Sequence, residues 1–80
     1  MKKIYSLVCV NEEYDVVSIQ HFGSREEAQV QMQQEHDREV AEAYSMGYGR
    51  AEMEEICVST NAYVEYGECK YHWCIKEGEI

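Results

Sequence analysis

The sequence predicts an α+β fold: a small antiparallel sheet in β-β-α-β-β order with one long helix packed on one face. Three observations carry this. Two runs rich in β-branched and apolar residues open the chain, a long stretch with apolar residues three and four apart follows, and two further short apolar runs close it.

The first strand spans Ile4 to Val10. Ile4, Val8 and Val10 fall on one face, Tyr5, Leu7 and Cys9 on the other, and apolar character on both faces marks an inner strand. Asn11–Asp15, "NEEYD", reads as a turn, and Val16 to Phe22 as the second strand of a hairpin. Ser24 opens the helix, with Glu27 three residues on completing a Ser-x-x-Glu capping box. Ala28, Met32, His36, Val40, Ala43 and Tyr44 then form one buried stripe, while Glu35, Asp37, Arg38, Glu39 and Glu42 take the other faces. The helix is expected to end near Met46 or Gly47, where a glycine can cap it. Gly47–Glu55 is read as a loop, with or without a short helical turn over Ala51–Glu55. Ile56–Ser59 and Tyr71–Ile75 are the third and fourth strands, with a turn near Gly67 between them. The chain contains no repeat or linker, and residues 1–80 are read as a single domain.

Composition narrows the class. There are 80 residues, with 45% apolar, no proline and five glycines, which suits a folded chain rather than a disordered one. A core this small leaves little stability to spare, and small folds often add a disulfide, a metal or a second subunit. Sixteen acids against seven bases give a net charge of -9, which argues against direct binding of nucleic acid and favours either plain solubility or a basic partner. No apolar run approaches the roughly 20 residues that cross a bilayer, and the opening "MKKIYSLVCV" is followed at once by polar residues, unlike a secretory signal. No membrane association is expected. The expected compartment is the cytoplasm, or the host cytoplasm for a phage-encoded chain. There, cysteines are free or metal-bound more often than paired.

The hexapeptide Cys69–Cys74, "CKYHWC", holds two of the four cysteines and the one tryptophan. With Tyr71, Trp73 and Ile75 facing the core, His72 and Cys74 point the other way. With Ile56 and Val58 also facing the core, and the two strands paired as a hairpin, Cys57 would meet His72 and Cys74 on that same surface. Cys69 would join from the turn or a bulge. Cys57, Cys69, His72 and Cys74 then make a Cys₃His set, a structural zinc composition with no open position. His21 or His36 is an alternative to Cys69. Against zinc stand two blander readings: cysteines behaving as small apolar residues with His72 in solvent, and a disulfide. Cys9 reads as a core thiol.

Catalytic signatures are lacking. "GYGR" has no following lysine and no preceding strand, and neither Gly-x-Ser-x-Gly nor His-Glu-x-x-His occurs. His72 with Cys74 has no third, orienting group. The chain is therefore read as non-enzymatic. One reading is a binding inhibitor or adaptor whose acids, Glu35, Asp37, Glu39 and Glu42 on the helix and Glu52, Glu54 and Glu55 after it, engage a basic protein surface. Tyr48, Tyr63 and Tyr66 would serve as contact anchors. The alternative is a small zinc-stabilised or homodimeric structural protein joined through the sheet's outer face.

In its acidic clusters "NEEYD", "EHDRE" and "AEMEE" and its compact cysteine-bearing end "CKYHWC", the chain resembles small acidic α+β proteins of phages and mobile elements, and among them the anti-CRISPR proteins. The resemblance is one of profile over the whole chain, without a shared motif. It implies a stoichiometric inhibitor that occupies a positively charged nucleic-acid surface of a Cas9-type nuclease, or a nearby lobe, and blocks DNA loading or cleavage.

Overall fold

The structure, a computed structural model, describes residues 2–11 and 15–79. Five strands and one long helix follow each other as β1 (Lys3–Asn11), β2 (Val16–Phe22), α1 (Arg25–Ser45), a 3₁₀ turn (Arg50–Glu52), β3 (Met53–Cys57), β4 (Asn61–Tyr66) and β5 (Cys69–Glu79). The class is α+β, as expected, but the sheet has five antiparallel strands in the order β2-β1-β5-β4-β3 rather than four. The added strand is β4, in the stretch read as a connection. Its Ala62, Val64 and Tyr66 are all buried, at the period of two that marks a half-buried strand.

The extra strand changes the pairing. Cys57 opposes Ala62 on β4, and Ala62 opposes Trp73 on β5, so the third and fourth expected strands never touch. β5 instead pairs with β1 along nine residues, from Lys3 opposite Glu79 to Asn11 opposite Tyr71. The two ends of the chain thus meet at the sheet's centre. β1 is an inner strand, as its two apolar faces require. The β1–β2 hairpin forms with a register shift between Cys9 and Val10; residues 12–14 of its expected turn lie outside the described residues.

The helix starts and stops where its caps predict. Ser24 accepts a hydrogen bond from the Glu27 backbone N–H at 3.2 Å, and Glu26 and Glu27 sit in the first turn, at the positive end of the helix dipole. Gly47 closes the other end with φ 95, the left-handed backbone that costs glycine nothing. Ala28, Met32, His36 and Ala43 are buried under the helix, but Tyr44 at the end of the expected stripe is half exposed. The helix packs on one face of the sheet, over Leu7 and Cys9 of β1, Ala62, Val64 and Tyr66 of β4, and Trp73 of β5. Leu7, Met32 and Val64 are fully enclosed, each removing about 1.5–3 kcal/mol worth of apolar surface from water.

Candidate functional site

β3 is an edge strand, and its register decides the chemistry around it. Met53 packs into the core opposite Tyr66, so Glu55 and Cys57, two and four residues on, also face the helix. Glu54 and Ile56 face the other way, and Ile56 is 47% exposed. Taking Ile56 and Val58 as core residues shifted the strand by one position, which turns every side chain over.

The expected Cys₃His set is divided by this. Cys57 and Cys69 lie on the helix face of the sheet, where Cys57 donates to Gln33 Oε1 at 3.2 Å and Cys69 packs beside the core opposite Tyr66. His72 and Cys74 lie on the open face, His72 stacked on Tyr63 at 5.5 Å and Cys74 opposite Val8 and Asn61. The alternative ligands do not repair the set. His21 hydrogen-bonds Ser6 at 2.8 Å on the open face, and His36 is under the helix. Among the described residues no group of three or more His, Cys, Asp or Glu side chains is gathered to hold a metal ion.

What β3 does assemble is a polar chain joining it to α1. Gln33 accepts from the Cys57 thiol through Oε1 and donates through Nε2 to Asp37 Oδ1 at 2.8 Å, and Asp37 lies 3.3 Å from His36 Nδ1. His36 is only 3% exposed. Its Nε2 sits 2.9 Å from Glu55 Oε2 without the alignment of a hydrogen bond. Carboxylates thus approach both ring nitrogens. Burial, reinforced by Asp37 and Glu55, raises the Cys57 pKa, so the thiol is held protonated. That is the reverse of what a thiolate nucleophile or a thiolate ligand needs.

The acids expected to bind a partner separate into two sets. Glu35 and Glu39 turn toward the sheet. Glu35 accepts from Gln20, Gln31 and the Trp73 indole, and Glu39 accepts from the Tyr66 hydroxyl at 3.3 Å. The Glu39 pKa is raised by its partial burial and by Glu42 beside it. These two brace the fold. Asp37, Glu42, Glu52, Glu54 and Glu55 are exposed. Glu54 and Glu55 border a cavity of about 340 Å³ shared with Val40, Tyr44, Arg50 and Tyr63; Glu52, Glu54 and Glu65 line a second of about 210 Å³ beside Gly67. Of the expected tyrosine anchors, Tyr66 is buried and Tyr48 packs on it at 5.3 Å, which leaves Tyr63 facing outward.

Glu54 stands directly opposite Glu65 across β3 and β4, and Glu65 is in turn paired with Lys70 at 3.3 Å. Like charges directly opposed in a sheet cost stability, typically about 0.2–1 kcal/mol. The β3 edge therefore concentrates negative charge beyond what its folding uses. None of the chain's described helices is long and apolar enough to cross a membrane. Comparison of the chain with protein-family models, curated proteins and solved structures returns no match.

Proposed function

We propose that this chain is a non-enzymatic binding protein whose β3 edge docks on a basic protein surface. Following the profile resemblance, we propose that surface to be the nucleic-acid channel of a Cas9-type nuclease, with block of DNA loading or cleavage as the result. The observation that carries the reading is the crowding of Glu52, at the end of the 3₁₀ turn, with Glu54 and Glu55 of the edge strand it leads into, and Glu54 is opposed to Glu65. An edge strand offers unpaired backbone groups as well as side chains, so a partner segment can dock through both. A cation seated between Glu54 and Glu65 would relieve their repulsion on binding, which turns a cost of folding into affinity.

The test is a DNA-cleavage assay across a panel of Cas nucleases, paired with gel filtration of the mixtures. Inhibition at one-to-one stoichiometry is expected, weakening steeply as ionic strength rises. A variant with Glu52, Glu54 and Glu55 all changed to Gln should lose inhibition and keep its circular dichroism spectrum. Absence of both inhibition and complex at low salt across the panel would sink the proposal.

A further inference from the structure

Backbone hydrogen bonding decides which groups of β3 face outward. Val58 donates its backbone N–H to the Asn61 carbonyl at 2.8 Å, which makes these two a hydrogen-bonded pair of the antiparallel β3–β4 ladder. Such pairs alternate along the ladder, so Ile56 and Glu54 turn their N–H and C=O groups toward β4. The N–H and C=O groups of Glu55 and Cys57 then point out of the sheet's edge. At Met53 the N–H already donates to the Arg50 carbonyl, so the outward ladder runs from Glu55 to Cys57. Beside it stands a wall. Val40 and Tyr44 of α1 border the cavity of about 340 Å³ together with Met53 and Glu55. Arg50 at the same cavity offsets one of the two acids there, Glu54 and Glu55, and Asp37 adds a third acid one helical turn before Val40. Behind Glu55 the buried His36 aims its Nε2 at Oε2 from 2.9 Å without the alignment of a hydrogen bond, so Glu55 gives up no aligned donor there when another arrives.

We infer that β3 takes an added strand from its partner: an extended, antiparallel segment with a lysine or arginine opposite Glu55 and, just before it, an apolar residue opposite Ile56. The inference rests on the docking edge proposed above and names the segment that fits it. The residue opposite Glu55 exchanges both backbone hydrogen bonds with it, and its side chain falls on the helix face, at the cavity. There the apolar stem of a lysine or arginine lies along Val40 and Tyr44 while its charge meets Glu55 and Asp37. The preceding residue turns to the other face, where Ile56 is 47% exposed and an apolar side chain covers it. Charge selects a basic occupant: the β3 edge of a second copy would set Glu54 and Glu55 against the same acids. The Glu54–Glu65 pair takes no part in this contact, which runs through the backbone and the helix-side acids.

Fluorescence anisotropy of a labelled peptide, Thr-Thr-Val-Arg-Thr-Thr, tests this at low salt. Saturable binding is expected with a Kd on the order of 100 μM. Methylating the backbone nitrogen of the peptide's arginine removes the N–H that reaches Glu55 and should weaken binding at least about 10-fold. Methylating the valine nitrogen, which points away from β3, should change it by less than about two-fold. Glu55→Gln in the protein should weaken binding at least about five-fold, as should glutamate in place of the peptide's arginine. On binding, amide hydrogen exchange should slow at Glu55 and Cys57 but not at Glu54 and Ile56, which are already bonded to β4. Equal binding by the two methylated peptides would overturn strand addition and leave acid-driven docking at the β3 edge standing. No binding of the unmodified peptide at about 1 mM would overturn the inference too, with the proposed function then judged by its cleavage assay alone. Strand-specific binding without inhibition of any nuclease would uphold the inference and remove the nuclease as the partner.

Discussion

The indole N–H of Trp73 donates to Glu35 Oε1 at 3.3 Å, so a carboxylate on the helix holds the largest side chain of the central strand. The same carboxylate accepts from Gln20 on β2 at 2.7 Å and from Gln31 one helical turn earlier at 2.8 Å. One residue thus ties the helix to an edge strand and to the middle of the sheet.

Removing that acceptor should be costly. Glu35→Ala leaves three donors in a partly buried site, and about 1–3 kcal/mol of stability should be lost in urea denaturation. Glu35→Gln, which keeps one acceptor oxygen, should lose less. Glu42→Ala at an exposed position serves as the control and should fall within about 0.5 kcal/mol of the parent. Equal effects of Glu35→Ala and Glu42→Ala would remove Glu35 from this bracing role.

Gly67 should resist substitution. It begins the β4–β5 turn with φ 56, and a methyl group added there would overlap the Tyr48 hydroxyl and ring. Gly67→Ala combines left-handed backbone strain with that overlap and should cost about 2 kcal/mol or more. In a Tyr48→Ala background the overlap is gone, so the same change should cost only the backbone part, about 1 kcal/mol. Identical costs in the two backgrounds would refute the contact.

Alkaline pH should destabilise the protein. Burial, then the charges of Glu35 and Glu39, pushes the Cys9 thiol from 9.0 up to about 12. Burial and Glu39 also raise the Tyr66 and Tyr71 hydroxyls above 10.0. Each group stays protonated in the fold while the unfolded chain ionises. Its contribution is therefore complete below its unfolded pKa and is lost as pH rises through the folded one. Thermal denaturation should show Tm falling from about pH 9 upward, and the fall should be shallower in Cys9→Ala. In the native state near pH 8, Cys9 should react with iodoacetamide far more slowly than after unfolding. A Tm that stays flat to about pH 11 would contradict the assignment.

Chelation should leave the fold intact. Cys57 and Cys69 face the helix while His72 and Cys74 face away from it, so no tetrahedral set spans them. Tm with and without a strong chelator should agree, and protein purified without added metal should contain substoichiometric zinc. A zinc content near one per chain, with Tm dropping on chelation, would mean the sheet register of β3 or β5 differs from the one described.

Much of the fold was legible because its signals are local. The Ser24 cap, Glu27 and Gly47 bound the helix from within a turn of their own positions, and the alternation of Tyr71, Trp73 and Ile75 set the faces of β5 correctly. β4 is equally legible, since Ala62, Val64 and Tyr66 alternate, but the turn signal of Gly67 at its end makes the stretch read as a connection. The candidate site was legible only in part. The acids at 52, 54 and 55 are plain in the sequence, but nothing local says that Glu35 and Glu39 turn inward while Glu54 faces Glu65.

By itself the sequence determined the class, the helix and its caps, an inner first strand and the excess of acid, because each follows from neighbours within a few residues. Tertiary structure alone decided that β5 inserts between β1 and β4, pairing residues such as Lys3 and Glu79 from opposite ends of the chain. It alone decided the face of Cys57 as well. Both faces of residues 53–58 hold apolar side chains, and the choice falls to Met53, which packs opposite Tyr66 in the core. A strand's side chains alternate with period two, so that single distant contact turned Cys57 toward the helix and away from His72 and Cys74.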